Sequence, residues 1–202
     1  MPEQLYLNDI EHLEELVAWA MNAASQDKKL FLIESLAPLV LGKKPSVLLN
    51  VFFENPEEWE TFKKLLFQHN ALQIRVIRKL NGRLQVMFYH RHLLDSVLRQ
   101  DPILAFLKAL SYPETYSLDN YLCFLQQKII SLEFPDEIGV FLGYPLKDVL
   151  GFMGLLPLPY IRTQGWRIYG DEKLSNEIYE SCRQARNTMK IIAQKIVLWP
   201  PK

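Results

Sequence analysis

The dipeptide Asn81-Gly82 constrains this chain more than any other feature. Asn-Gly tolerates the positive backbone angles of a type I′ turn, whose twist matches two antiparallel strands. The flanks agree. Leu72–Leu80 alternates, with Leu72, Ile74 and Val76 on one side and Gln73 and Arg75 on the other, and Arg83–His90 is the return strand. This alternation predicts a sheet with one face open to water. Upstream, Ser46–Phe53 has the composition of a buried strand. Asn55-Pro56-Glu57-Glu58 then opens a helix: asparagine caps, proline suits the first turn, and glutamates favour the positive end of the helix dipole. The first half therefore reads β-α-β-β.

Helices surround this unit. Ile10, Leu13, Leu16, Val17 and Ala20 keep helical spacing over residues 8–24, with Asn8 as the expected cap. A second helix runs through Leu30, Ile33, Leu36 and Leu39 to a stop at Gly42, and Pro38 is expected to kink it or end it early. After the hairpin, helices are expected over about 91–99, 101–110 and 117–132, and two short ones divided at Gly143-Tyr144-Pro145. Tyr160–Tyr169 reads as a late strand. A long helix follows from Asp171, with Leu174, Ile178, Cys182, Ala185, Met189 and Ile192 spaced for burial. The fold class is α+β: a small mixed or antiparallel sheet, made of the β-α-β-β hairpin core and the late strand, packed with several helices. Residues 1–27 read as an N-terminal helical extension and 28–202 as a single domain.

Of the 202 residues, 49% are hydrophobic, and Lys+Arg balance Asp+Glu at 23 each. A chain this long buries a full core without staples. Zero net charge argues against nucleic acid or an anionic membrane as partner, since both recruit basic surfaces. The longest apolar stretch, Val149–Ile161, is short and broken by Pro157 and Pro159, so no membrane span is expected. Cys123 and Cys182 form neither a zinc motif nor a disulfide framework, and the acidic N-terminus lacks a signal-peptide pattern. Together these imply a cytoplasmic protein.

The chemistry-bearing candidates are few. Asp136 and Glu137 follow Pro135 at a helix start. Asp136 reads as a dipole-stabilising cap, while Glu137 could turn inward and serve as an acid or base. His90 and His92 are two apart and could ligate a metal or haem or shuttle protons, but no cysteine or carboxylate completes a metal pattern. His69, near a helix end, suits the dipole. Cys182 reads as a small core residue. The two short helices around Tyr144 echo a helix-turn-helix, yet the second, with Lys147 and Asp148 in an apolar run, looks like a packing element rather than a DNA reader. Gly165-Trp166-Arg167-Ile168-Tyr169-Gly170-Asp171 is aromatic and bracketed by glycines. Trp166 and Tyr169 could stack on a planar ligand such as a flavin or porphyrin, and Gly170-Asp171 is also a turn and cap. No hydrolase or nucleotide-binding fingerprint is present.

Three of these segments, in order, resemble a bacterial family known as domain of unknown function 3793, found mainly in anaerobes. They are Ala37–Ser46, with its Ala-Pro followed by Gly42 and Lys43; Phe134–Val149, where the family usually has histidine at the place of Asp136; and Gly165–Asp171. The resemblance spans about residues 30–195. Where many members carry a His-Cys pair before the first proline, this chain has Ser35-Leu36, so cysteine chemistry is not carried over. The family brings no assigned activity. It implies a setting in redox or iron/haem metabolism, with a flavodoxin-like or iron-handling protein, or a planar ligand, as partner. The resulting expectation is a non-enzymatic binding protein whose surface joins Glu137, Tyr144, Trp166 and Tyr169. The alternatives are an enzyme or a haem or flavin carrier using Glu137 with His90 or His92, and a helix-turn-helix DNA binder.

Overall fold

The Asn81-Gly82 turn forms as its sequence dictates, with φ of 48° and 76°. The computed structural model describes residues 2–68, 71–131 and 134–198, with side chains from 8 to 196 within those spans; His69 lies outside them. The elements run α1 (Pro2–Met21), α2 (Gln26–Val40), β1 (Ser46–Val51), α3 (Pro56–Phe67), β2 (Leu72–Leu80), β3 (Arg83–His90), α4 (Arg91–Leu98), α5 (Asp101–Ala109), α6 (Leu118–Ser131), α7 (Ile138–Phe141), α8 (Leu146–Phe152), β4 (Tyr160–Gln164), β5 (Trp166–Tyr169) and α9 (Lys173–Leu198). The protein is α+β.

The main sheet has the order β1-β3-β2 with both pairings antiparallel. The chain leaves β1 through α3, returns as the far edge strand β2, and the hairpin then inserts β3 between them. Central β3 is buried on both faces, which splits the interior in two. Val86 and Phe88 join one core, built with α1, α2, α3 and α9. Met87 and Tyr89 join the other, built with α4, α5, α6, α7 and α8.

The wet sheet face expected from the alternation of β2 does not exist, because α6 covers it. Arg75 reaches Gln126 Oε1 (3.2 Å), Arg78 donates to the Ile129 carbonyl (3.0 Å), and Gln126 Nε2 donates back to the carbonyls of Val76 (3.0 Å) and Ile77 (3.2 Å). The polar side chains that read as solvent-facing bind a helix instead. A register shift between Val76 and Arg78 turns Ile77 into the second core and leaves Val76 exposed.

Local signals explain most helix ends. Asn55 Oδ1 accepts from the Glu58 amide (2.8 Å), and Glu58 Oε2 reaches back to the Glu54 amide (2.8 Å), a close relative of the capping box. Glu58 also binds the buried Lys29 ammonium at 2.9 Å. Helix α2 continues through Pro38 to Val40 instead of ending early. Pro38 sits in the last turn, so the helical bond its ring removes lies near the end of the helix, and its carbonyl accepts from the amides of Lys43 (2.7 Å) and Lys44 (3.0 Å) to close that end. Asn8 lies inside α1 rather than capping it. Leu13, Leu16, Val17 and Ala20 of α1 lie in the first core beside Ala185, Met189 and Ile192 of α9.

The late segment is strand-like, but it pairs with itself. β4 and β5 form a separate two-stranded sheet about Gly165, whose φ is +79°. Leu174, expected in the core, is exposed at 50%, and Ser175 takes the buried position. The reason lies in the site described next.

A candidate binding site on the Tyr144–Trp166 wall

The polar centre of the C-terminal half is Asp148, on the short helix α8. Its side chain is 1% exposed. A carboxylate in such a place must be saturated with donors, and this one is. Oδ1 accepts from Lys147 Nζ (2.6 Å) and the Tyr169 amide (2.9 Å); Oδ2 accepts from the Trp166 indole N–H (2.8 Å) and Ser175 Oγ (2.6 Å). Burial alone would raise its pKa. The bonds from Lys147, Ser175, the Tyr169 amide and Trp166 reverse that and hold the carboxyl below its ordinary value. Lys147 completes the unit by donating to the Tyr169 carbonyl (2.8 Å) and Ser175 Oγ (3.0 Å). Asp148 thus pins β5 and the start of α9 to α8, and explains why Ser175 displaces Leu174 from the interior.

This anchoring sets Trp166 against Tyr144. The rings stack with centroids 4.8 Å apart and planes 16° from parallel. Tyr144 follows Gly143, whose φ is +77° and which lies so close to Pro45 that a Cβ there would come within 2.5 Å of Pro45 Cδ. Lys44 Nζ stands 5.3 Å from the centre of the Tyr144 ring. The segments 37–46, 134–149 and 165–171, far apart in sequence, therefore converge on one aromatic wall.

Two cavities border both rings of this wall, and a third, of about 690 Å³, reaches Tyr144 and Lys44 but not Trp166. One, of about 320 Å³, lies among α7, α8 and β5 and is lined mainly by Ile138, Leu142, Val149 and Phe152 together with Tyr144 and Trp166. Phe134 and Arg167 also border it, with the Arg167 guanidinium 5.2 Å from the Phe152 ring centre. The other, of about 110 Å³, is more polar: it brings Lys44, Tyr179, Cys182 and Arg186 to Leu142, Tyr144 and Trp166.

The sequence candidates fall into separate places. Tyr144 and Trp166 meet. Tyr169 joins them only through Asp148; its ring is buried against Gly151, where an added Cβ would lie 2.6 Å from Tyr169 Cγ. Glu137 turns inward, into the second core, where Tyr112 donates to it (3.2 Å) and Lys128 pairs with it. It lines neither cavity. Burial and the Glu137 charge push the Tyr112 phenol far up. Asp136 is exposed and borders the apolar cavity, and the N-cap position of α7 falls to Glu137, without a side-chain cap bond. His90 ends β3, where its Nδ1 accepts from the Leu93 amide (3.3 Å) as the cap of α4. His92 is exposed beside it, with ring centres 6.2 Å apart. Neither histidine lines the two cavities, and no group of three or more metal-binding side chains occurs among the described residues. In the helix-turn-helix-like corner, α7 is a single turn, and the ammonium of Lys147, the basic residue of α8, is held by Asp148.

Sequence reasoning missed Asp148, Ser175, Lys44 and Arg186. The available signal was Lys147-Asp148 in an apolar helix, a charged pair that must find partners wherever the helix is buried.

These features define an α+β protein with a two-faced core and a ligand-sized slot against a paired tyrosine and tryptophan. The chain belongs to the family described as protein of unknown function (DUF3793), whose model matches residues 32–197. That span includes all three converging segments. No curated protein and no solved structure matches the chain. No helix among the described residues is long and apolar enough to cross a membrane.

Proposed function

We propose that this protein is a non-enzymatic binding protein that holds a planar, mainly apolar ring compound of redox metabolism in the slot against Tyr144 and Trp166. One observation carries the reading: three sequence-distant motifs converge to build an aromatic wall beside an apolar cavity. At about 320 Å³ the cavity falls at the small end of ligand pockets, roughly 300–1,000 Å³. A flavin-sized ring suits it better than a porphyrin. Its lining also offers neither histidine nor cysteine as an iron ligand. Asp148, the buried carboxylate at the wall, has every acceptor position filled and is not free to move a proton. That favours binding over catalysis.

Riboflavin is the probe. Its fluorescence should be quenched on titration with the protein, as expected for a ring stacked on an aromatic wall. Phe152→Ala, which opens the slot without touching the Asp148 unit, should weaken the quenching with far-UV circular dichroism unchanged. A parallel haem titration followed in the Soret region tests the porphyrin alternative. Absence of any response to either compound at concentrations that saturate micromolar complexes would refute the proposal.

A further inference from the structure

The second cavity differs in chemistry from the slot. Among the described residues it is lined by two cations and no carboxylate. Tyr179, Cys182 and Arg186 follow one another at i, i+3 and i+7 on α9, so they share a face. Lys44 comes from the turn after α2, across the cavity. Both cations are half-buried, and neither Lys44 nor Arg186 has a carboxylate partner among the described residues. The fully buried charges, by contrast, are neutralised: Asp148, Glu137 and Lys29 each carry an opposite charge at bonding distance.

We infer that this pocket binds a small oxyanion, a phosphate or a group of like charge and shape, held between the Lys44 ammonium and the Arg186 guanidinium. Two like charges confined in a half-buried pocket repel one another, and an anion between them turns that cost into attraction. The size agrees. At about 110 Å³, a third of the volume of the slot, the cavity has room for a tetrahedral oxyanion. Among the described residues no anion fills the role; the group that Lys44 Nζ faces is the uncharged Tyr144 ring, at 5.3 Å. The Cys182 thiol is pushed up by burial, against the opposing pull of Lys44 and Arg186, and stays neutral. Burial lowers the Lys44 pKa, opposed by Cys182 and reinforced by Arg186, which is the behaviour of a cation lacking its counter-charge.

The test is thermal unfolding and calorimetric titration of the full chain with sodium phosphate, against sodium chloride at equal ionic strength. Phosphate should raise the melting temperature saturably and beyond chloride. Lys44→Met and Arg186→Met should each weaken phosphate about tenfold or more. Arg186→Met should also raise the melting temperature in phosphate-free buffer, because it removes the repulsion. A merely structural arginine would lower it. Riboflavin 5′-phosphate compared with riboflavin separates the sources. Tighter binding of the ester, lost in Arg186→Met, assigns the anion to a larger ligand; equal binding alongside a phosphate effect assigns a free anion. Riboflavin alone reports the apolar slot, so the two readings fail independently. If phosphate matches chloride and the ester gains nothing, or if both variants keep the phosphate effect, the inference is overturned.

Discussion

Replacing Asp148 by asparagine keeps the shape of the buried hub and removes its charge. The structure gives the cost. Four donors meet the carboxylate, two at each oxygen. An amide keeps one oxygen and turns an NH₂ group toward the other pair. If nitrogen takes the Oδ1 place, it faces the Tyr169 amide and the Lys147 ammonium. In the Oδ2 place it faces the Trp166 indole, and the bond that the Ser175 hydroxyl donates there is lost. Either flip strands a buried donor and breaks a second bond, at roughly 1–3 kcal/mol each, or about 4 kcal/mol together at the middle of that range. For a chain of this size, about 2–4 °C per kcal/mol gives a melting temperature lower by roughly 10 °C. Glu11→Gln, an exposed change of equal charge on α1, controls for net charge and should leave the transition in place. Acid adds a second signature. The folded carboxyl titrates below its ordinary value of 3.8, so its stabilisation is full above that value and is lost as pH falls through the folded pKa. The gap between wild type and Asp148→Asn should therefore narrow in acid. If Asp148→Asn melts with Glu11→Gln at neutral pH, the hub does not hold the C-terminal half together.

Two further outcomes follow from packing and burial. Gly151→Ala on α8 gains about 1 kcal/mol from helix propensity alone, but its Cβ would lie 2.6 Å from Tyr169 Cγ, so a net loss of roughly 1–3 kcal/mol is expected; an unchanged or higher melting temperature would show that Tyr169 does not pack there. In alkali, the raised pKa of Tyr112, due first to burial and then to the Glu137 charge, means that its contribution is full below the ordinary phenol value of 10.0 and fades as pH rises above it. The urea midpoint of wild type should drop faster above pH 10.0 than that of Tyr112→Phe, and parallel curves would count against this reading.

The elements legible in the sequence are those whose cause is local. Asn81-Gly82 carries its own turn geometry, Asn55-Pro56-Glu57-Glu58 carries its own cap, and β2 and β3 end where their residues change. The wet face of β2 is misread because nothing near Arg75 or Arg78 announces that α6 brings Gln126 and the Ile129 carbonyl to them. The same limit governs the site. Tyr144 and Trp166 stand out as aromatic residues in glycine-bracketed segments, but their stacking depends on Gly143 closing against Pro45 and on Asp148 gripping the indole. Glu137 is as prominent in sequence as Asp148, yet Tyr112 and Lys128 retire it into the core.

A charge is thus defined by what meets it in space, and this gives a way to read the remaining ones. Asp148 collects four donors from three elements, Glu137 takes a phenol and an ammonium, and buried Lys29 takes a carboxylate and the Phe52 carbonyl. A fold that completes its fully buried charges has no reason of stability to set Lys44 and Arg186 at one small cavity without an acid. Stability alone would favour an apolar residue at either position, or a carboxylate on α9 where Cys182 stands. The uncompensated pair is therefore the feature of this wall that folding does not explain, and a ligand that supplies the missing negative charge does.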